Sequence, residues 1–162
     1  YIINGKTDTT FAPNKAITRG QFAAMMARAL DLEFVEENTK FEDINGKWYA
    51  DYVNALTKKG IIKGKTSTRF DPEGTLTRQQ AALMVKRMLD YLNVDMSEKT
   101  SVKEFTDLNK LSTEAREAVL SLAGLQIVSG KENGQFAPNV PLTRSQMAKI
   151  LYLSLEQGDM LN

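Results

Sequence analysis

The chain contains neither cysteine nor histidine, and these two absences remove much of the chemistry open to a protein of this size. Without thiols there is no disulfide framework, and thiolate and imidazole metal sites are excluded. Nucleophile–histidine catalysis goes with them. Net charge is almost missing too: 21 basic side chains against 20 acidic ones leave +1. Such a chain has no general field to draw it onto nucleic acid or anionic lipid, so any anion must be held by locally placed Arg and Lys. No apolar run approaches the roughly 18–20 residues of a membrane-spanning helix. The start Tyr1-Ile-Ile-Asn-Gly lacks the pattern of a signal peptide, and, Tyr1 not being an initiator methionine, it reads as a processed chain or a fragment. What remains, 42% apolar and 25% charged over 162 residues, is the composition of a soluble globular protein.

What the chain does have is repetition. Phe11-Ala-Pro-Asn-Lys-Ala-Ile-Thr-Arg-Gly-Gln21 returns as Phe70-Asp-Pro-Glu-Gly-Thr-Leu-Thr-Arg-Gln-Gln80 and as Phe136-Ala-Pro-Asn-Val-Pro-Leu-Thr-Arg-Ser-Gln146, without insertion or deletion. Six residues ahead of each phenylalanine stands a glycine, Gly5, Gly64 or Gly130, closing an aliphatic-aliphatic-polar-Gly turn. Each glycine suits a position of positive φ, and the two aliphatics before it read as a short buried strand or turn. Internal repeats of this kind decide the fold before any single residue does.

The end of each block is a helix start. Thr18, Thr77 and Thr143 fall at N-cap with Gln21, Gln80 and Gln146 three residues on, the capping-box spacing. Ile17, Leu76 and Leu142 precede the caps and can staple onto Phe22, Ala81 and Met147. Three amphipathic helices follow, and their stripes imply that they face one another, with methionine as core filler. Two linkers lead into Phe41-Glu-Asp43 and Phe105-Thr-Asp107, then into shorter helices expected over about 48–59 and 112–124. Gly60 is placed to end the first of these in a left-handed turn. Aligned on Gly64 and Gly130, Val53 falls on Val119, Trp48 has no aromatic partner and Gly60 meets Gln126. Phe11, Phe70 and Phe136 read as core, and Asp43 and Asp107 as caps for the turn before the short helix. No unit can bury its stripe alone, so the copies must pack together.

These marks resemble the S-layer homology family, whose repeats usually come in threes: Phe-x-Asp, a Trp opening the first helix, Gly-Ile-x-x-Gly, Phe-x-Pro, and Thr-Arg-Ala-Glu opening the second helix. The matching residues are Phe41/Asp43, Phe105/Asp107, Trp48, Gly60-Ile61 with Gly64, the three Phe-x-Pro blocks and the three Thr-Arg pairs. The resemblance implies an all-α, pseudo-threefold bundle of three helix-loop-helix repeats with grooves between them. The repeats run over 1–32 (second half only), 41–93 and 105–158, together one pseudo-trimeric domain. It also implies non-covalent anchoring of a longer surface protein to the bacterial cell wall or S-layer, outside the cell. The implied partner is a secondary cell-wall polysaccharide bearing a pyruvate ketal, or a peptidoglycan-linked glycan. Gln stands where the family most often has Glu; it keeps the cap and removes a carboxylate beside each Arg.

Arg19, Arg78 and Arg144 are the leading ligand candidates. They stand at N1, where open backbone N–H groups and the positive end of the helix dipole favour an anion, and a guanidinium can grip a carboxylate bidentately. The competing reading bonds each Arg to a neighbouring repeat's Asp or leaves it in water. Thr18, Thr77 and Thr143, the loop glycines Gly5, Gly64 and Gly130, and Lys65 complete the expected glycan site, with Lys6 and Lys131 able to add charge. Trp48 offers a platform for a sugar face or packs on its own helix. Removal of all three arginines is expected to abolish wall binding while helical content persists. The acidic residues are scattered, with no pair repeated in all units, and no phosphate loop, nucleophile elbow or zinc motif is present. Neither enzyme activity, nor a cofactor, nor membrane insertion is called for. A helical scaffold for protein–protein assembly is the rival reading; a DNA-binding helix-turn-helix fits poorly with so small a net charge.

Overall fold

The computed structural model describes residues 2–7, 9–34, 40–97 and 104–161. These residues are helical, in the order α1 (Arg19–Ala29), a 3₁₀ turn (Glu42–Ile44), α2 (Ala50–Lys58), α3 (Arg78–Tyr91), α4 (Thr113–Gly124) and α5 (Arg144–Gln157). None of these helices is long and apolar enough to cross a membrane. The aliphatic pairs before the glycines form turns, and no strand occurs among the described residues.

The helix starts follow the local chemistry. Thr18 and Thr77 close full capping boxes with Gln21 and Gln80. Thr143 and Gln146 make the same reciprocal bonds at 3.1 and 3.3 Å. Ser112 caps α4 by accepting from the Ala115 N–H. The long helices stop alike: Asp31, Asn93 and Asp159 take positive φ, and the next N–H returns to the carbonyl of Ala27, Leu89 or Leu155. Gly60 ends α2 at φ +72°, and Gln126 takes the same left-handed conformation after α4. α1 stops earlier than α3 and α5, with 11 residues against 14.

Two compact units form. The first comprises Tyr1–Leu76 with Leu142–Ala148, the second Thr77–Pro141 with Lys149–Asn162, so the units cut across the sequence repeats. In the first, α1 packs on α2 over a core that includes Phe22, Met26, Phe41, Leu56, Ile61 and Phe70. At its centre the residues preceding the three Thr caps close a ring of backbone bonds. Ile17 N–H donates to Leu142 C=O (3.0 Å), Leu142 N–H to Leu76 C=O (2.9 Å), and Leu76 N–H to Ile17 C=O (3.0 Å). All three side chains are buried, so the staple position also seals this ring from water. In the second unit α3 packs on α4 around Val85, Met88, Leu89, Val119, Leu122 and Phe136. The helix methionines expected in the core, Met25, Met26, Met84, Met88 and Met147, are buried.

Three expectations are corrected. Asp43 and Asp107 do not cap their own turns; each carboxylate reaches the Phe-x-Pro loop of its own repeat. Asp43 accepts from the N–H groups of Phe70 (2.9 Å) and Asp71 (2.8 Å), and Asp107 from those of Phe136 and Ala137 (both 2.8 Å). The clamped residue after each phenylalanine is strained, at φ +59° in both Asp71 and Ala137. Second, Gly5, Gly64 and Gly130 do not adopt positive φ. They are needed for close approach: a Cβ at Gly64 would collide with the Phe41 ring, and one at Gly130 with the Phe105 ring. Third, Phe70 and Phe136 are buried but Phe11 is 37% exposed. Phe41 lies against Phe70 at 5.8 Å and Phe105 against Phe136 at 5.6 Å, whereas no aromatic ring lies against Phe11 among the described residues.

Candidate functional site

The three N1 arginines make one contact set three times. The Nε of Arg19, Arg78 and Arg144 donates to the carbonyl of Phe70 (2.9 Å), Phe136 (2.8 Å) and Phe11 (2.9 Å) respectively. Their Nη2 atoms donate to the residue before the loop glycine: Lys63 (3.4 Å), Ser129 (2.7 Å) and Asn4 (2.7 Å). Each guanidinium also lies over the ring of that same phenylalanine, 4.4–4.9 Å from its centroid. Each Arg therefore staples the glycine turn and the Phe-x-Pro loop of another repeat. The partners are backbone carbonyls, rather than the aspartates or water of the competing reading.

The helix ends themselves are closed to ligand. The Arg19 and Gly20 N–H groups donate to Gly74 and Pro72 carbonyls, those of Arg78 and Gln79 to Val140 and Pro138, and those of Arg144 and Ser145 to Lys15 and Pro13. The third N–H of each helix goes to the capping Thr. The expected open N–H groups at N1 are absent because the Pro-containing loops already fill that place. Burial pushes the pKa of Arg19 down, against the pull of Asp71 and Asp43, and burial moves Arg78 and Arg144 the same way. All three stay cationic at neutral pH, since guanidinium titrates far above it.

Side chains do converge on a cavity in the first unit. Its volume is about 390 Å³, and it is lined by Gly5, Lys6, Gln21, Arg28, Trp48 and Arg144, with Asn4 and Met25. Three of the expected site residues meet here: Gly5, Trp48 and Arg144. Among the described residues the lining holds three cations and no carboxylate. Arg144 keeps its Nη1 unbonded among the described residues after its two carbonyl bonds. Trp48 is 60% exposed, with its ring edge-on to those of Tyr49 and Tyr52 at the start of α2.

Arg28 is the residue that sequence reasoning missed. Its Nε donates to the Tyr52 hydroxyl (3.1 Å), and its guanidinium lies 4.8 Å from the Tyr52 ring centroid and 5.8 Å from that of Trp48. Its terminal nitrogens make no hydrogen bond among the described residues. The signal was available in register: Arg28 stands nine residues after Arg19, as Arg87 does after Arg78, and Trp48 aligns with Glu114. In the second unit that pair makes a salt bridge, with Arg87 Nε and Nη2 2.9 and 2.6 Å from Glu114 Oε1. The cation facing an aromatic ring in one unit faces a carboxylate in the other.

Lysines diverge in the same way. Lys65 is ion-paired with Asp71, six residues on. The position six after Lys6 is Ala12, so Lys6 reaches the cavity without that acid. The remaining expected site residues serve the fold: the Thr18, Thr77 and Thr143 hydroxyls hold caps, and Gly64 and Gly130 lie beneath phenylalanine rings. A second cavity, about 690 Å³, opens in the second unit beside Asp107, Asn109, Ser112, Pro138 and Asn139; it contains none of the expected residues. No cluster of acidic side chains able to hold a metal occurs among the described residues.

Comparison with known proteins follows the same repeats. The family model for the S-layer homology domain matches residues 1–23, 40–82 and 104–148. The chain is 35% identical to an endoglucanase of Bacillus sp. (strain KSM-635) over 93% of its own length and 16% of that protein's. It is 30% identical to the surface-layer 125 kDa protein of Lysinibacillus sphaericus over 98% of its own length and 13% of that protein's. To S-layer protein EA1 of Bacillus anthracis it is 30% identical over 94% of its own length and 17% of that protein's. The chain thus spans less than a fifth of each of these relatives.

Proposed function

The chain belongs to the S-layer homology family, a cell-surface, wall-anchoring module, and from that premise we propose that it holds a longer surface protein on the bacterial wall by binding an anionic wall polysaccharide. The repeats at 1–32, 41–93 and 105–158 act together in this role, and the ligand's acid group is the carboxylate of a pyruvate ketal. The observation that carries the reading is the first unit's cavity, where Arg28, Arg144 and Lys6 meet Trp48 with no acidic side chain among the described lining residues. Cations grouped without a counter-ion repel one another, and a carboxylate relieves that repulsion while accepting charge-assisted hydrogen bonds. Trp48 supplies the apolar face that a sugar ring needs beside its charged group.

Gln21 contributes by what it is not. Its Oε1 accepts from the Thr18 N–H (3.3 Å), completing the cap, and a glutamate there would bring a negative charge to the lining. The second unit argues from the other side, because Arg87 is already neutralised by Glu114. Of the N1 arginines, Arg144 is the one that lines this cavity; Arg19 and Arg78 act on binding by holding the loops. Because all three guanidinium groups staple loops, a triple Arg→Ala variant is expected to lose stability along with binding.

The test is co-sedimentation with purified wall polysaccharide before and after mild-acid removal of its pyruvate. Retention is expected on the intact polymer and a loss of at least tenfold after ketal removal. Equal retention on both preparations would contradict an anionic ligand.

A further inference from the structure

An asparagine followed by glycine exposes its side-chain amide to the next backbone nitrogen, because glycine has no Cβ to block the approach. The pair occurs three times in this chain, as Asn4-Gly5, Asn45-Gly46 and Asn133-Gly134, and each asparagine is exposed. Two of the three are restrained. Both ends of the Asn133 amide bond Gln135, and the Gly134 N–H donates to the Lys131 carbonyl at 3.0 Å. Asn45 and Gly46 are the corners of a turn closed by the Lys47 N–H on the Ile44 carbonyl at 3.1 Å. At Asn4-Gly5 neither the side-chain amide nor the Gly5 N–H makes a hydrogen bond among the described residues.

That pair is also the one whose peptide oxygen carries a cation. Arg144 Nη2 donates to the Asn4 carbonyl at 2.7 Å, and Lys6 stands next in the same cavity lining. The carbonyls of Asn45 and Asn133 accept from no side chain among the described residues. When an amide N–H loses its proton, the charge spreads onto the oxygen of the same peptide. A guanidinium already placed there stabilises the amidate as an oxyanion hole would. The Arg144 staple thereby activates the Gly5 nitrogen as a nucleophile.

We propose that Asn4 is a site of self-catalysed deamidation that switches off the anion site it lines. The Gly5 nitrogen bonds to Asn4 Cγ, and its proton passes by way of water to Nδ2, which leaves as ammonia. The cyclic imide that remains is opened by water. Attack at the former peptide carbonyl breaks its bond to the Gly5 nitrogen, leaves Gly5 joined through Cγ, and frees an α-carboxylate; the product is isoaspartate. Attack at Cγ gives aspartate instead. Arg144 polarises the first of these carbonyls, which favours isoaspartate. The new carboxylate then forms at the oxygen that Arg144 already holds, in the lining shared with Lys6 and Arg28. An internal carboxylate neutralises the cations that an anionic ligand needs. The switch rests on the anionic-glycan reading above; the conversion does not.

Peptide-mapping mass spectrometry of the folded chain, held at mildly alkaline pH, reads the conversion at each pair. Asn4 is expected to convert several-fold faster than Asn45 in the same molecule and than Asn4 in a synthetic peptide of residues 1–10, with a larger isoaspartate share than the peptide. A rate no greater than either reference, or an isoaspartate share no larger than the peptide's, overturns the activation by Arg144 and the proposal with it. For the switch, the half-converted chain is passed over purified pyruvylated wall polysaccharide. Converted molecules should gather in the unbound fraction. Asn4→Asp should bind at least about tenfold more weakly than the parent, with thermal melting unchanged. Equal retention of converted and unconverted molecules overturns the switch and leaves the glycan reading intact. If the unconverted chain is not retained either, the glycan reading fails and the switch with it.

Discussion

A guanidinium that donates to two backbone carbonyls and lies over an aromatic ring is doing structural work, whatever else it binds. Arg19 is 5% exposed and Arg144 3%, and each spans two loop segments. Replacing Arg19 by Ala leaves the Phe70 and Lys63 carbonyls without their donor and removes the stacking on Phe70. A hydrogen bond to a charged group contributes ~1.5–3 kcal/mol, so Arg19→Ala is expected to lose about 3 kcal/mol in urea unfolding. Arg19→Lys should recover little, because an ammonium lacks the planar fork that reaches both oxygens. A loss below about 1 kcal/mol for the alanine variant would remove the staple from the account. The identity and N1 position of these arginines were legible in the sequence. Their partners were not, since a carbonyl acceptor belongs to the backbone and leaves no trace in residue type. Arg28 was missed for a different reason: it recurs in two copies rather than three, and its meaning lies in the change of its partner from Trp48 to Glu114.

At the scale of elements, the helix starts were readable because their causes are local. Thr-x-x-Gln and the preceding aliphatic fix a helix start within a few residues, and the three caps formed where the spacing put them. The loops were less readable, because they are set by contacts some thirty residues apart. The Phe-x-Asp mark is a clamp: its ring covers the glycine turn, and its carboxylate takes two successive N–H groups of the Phe-x-Pro loop. That clamp carries a pH signature. Burial alone would raise the Asp43 carboxyl, but the N–H groups of Phe70 and Asp71, aided by Arg69, hold it below the ordinary 3.8. A carboxylate depressed in the folded state adds stability above its unfolded value, and that addition is lost as pH falls through the folded value. Asp43→Asn should therefore destabilise the chain by an amount that is constant above about pH 5 and shrinks below about pH 4. Urea midpoints for both proteins across pH 2.5–7 check this; a difference that grows toward acid would contradict it.

For the whole molecule, a net charge of +1 supplies no general field, so an anion must be held by locally placed side chains. Three sequence repeats suggest three equal sites, yet the copies have diverged in charge. Lys65 has Asp71 and Arg87 has Glu114, while Lys6 and Arg28 meet at a cavity whose described lining residues include no acid. The family and the helical fold were legible from repetition alone. Which copy leaves its cations without an acidic partner among the described residues was not, because that depends on what each cation faces in space. The most direct measurement is the affinity of purified pyruvylated wall polysaccharide for the Arg28→Ala and Arg87→Ala variants, with thermal melting as the control for folding. The account predicts that Arg28→Ala weakens binding at least about tenfold with melting unchanged, and that Arg87→Ala binds as the parent chain does. Undiminished binding by Arg28→Ala, or an equal loss in both variants, would contradict it.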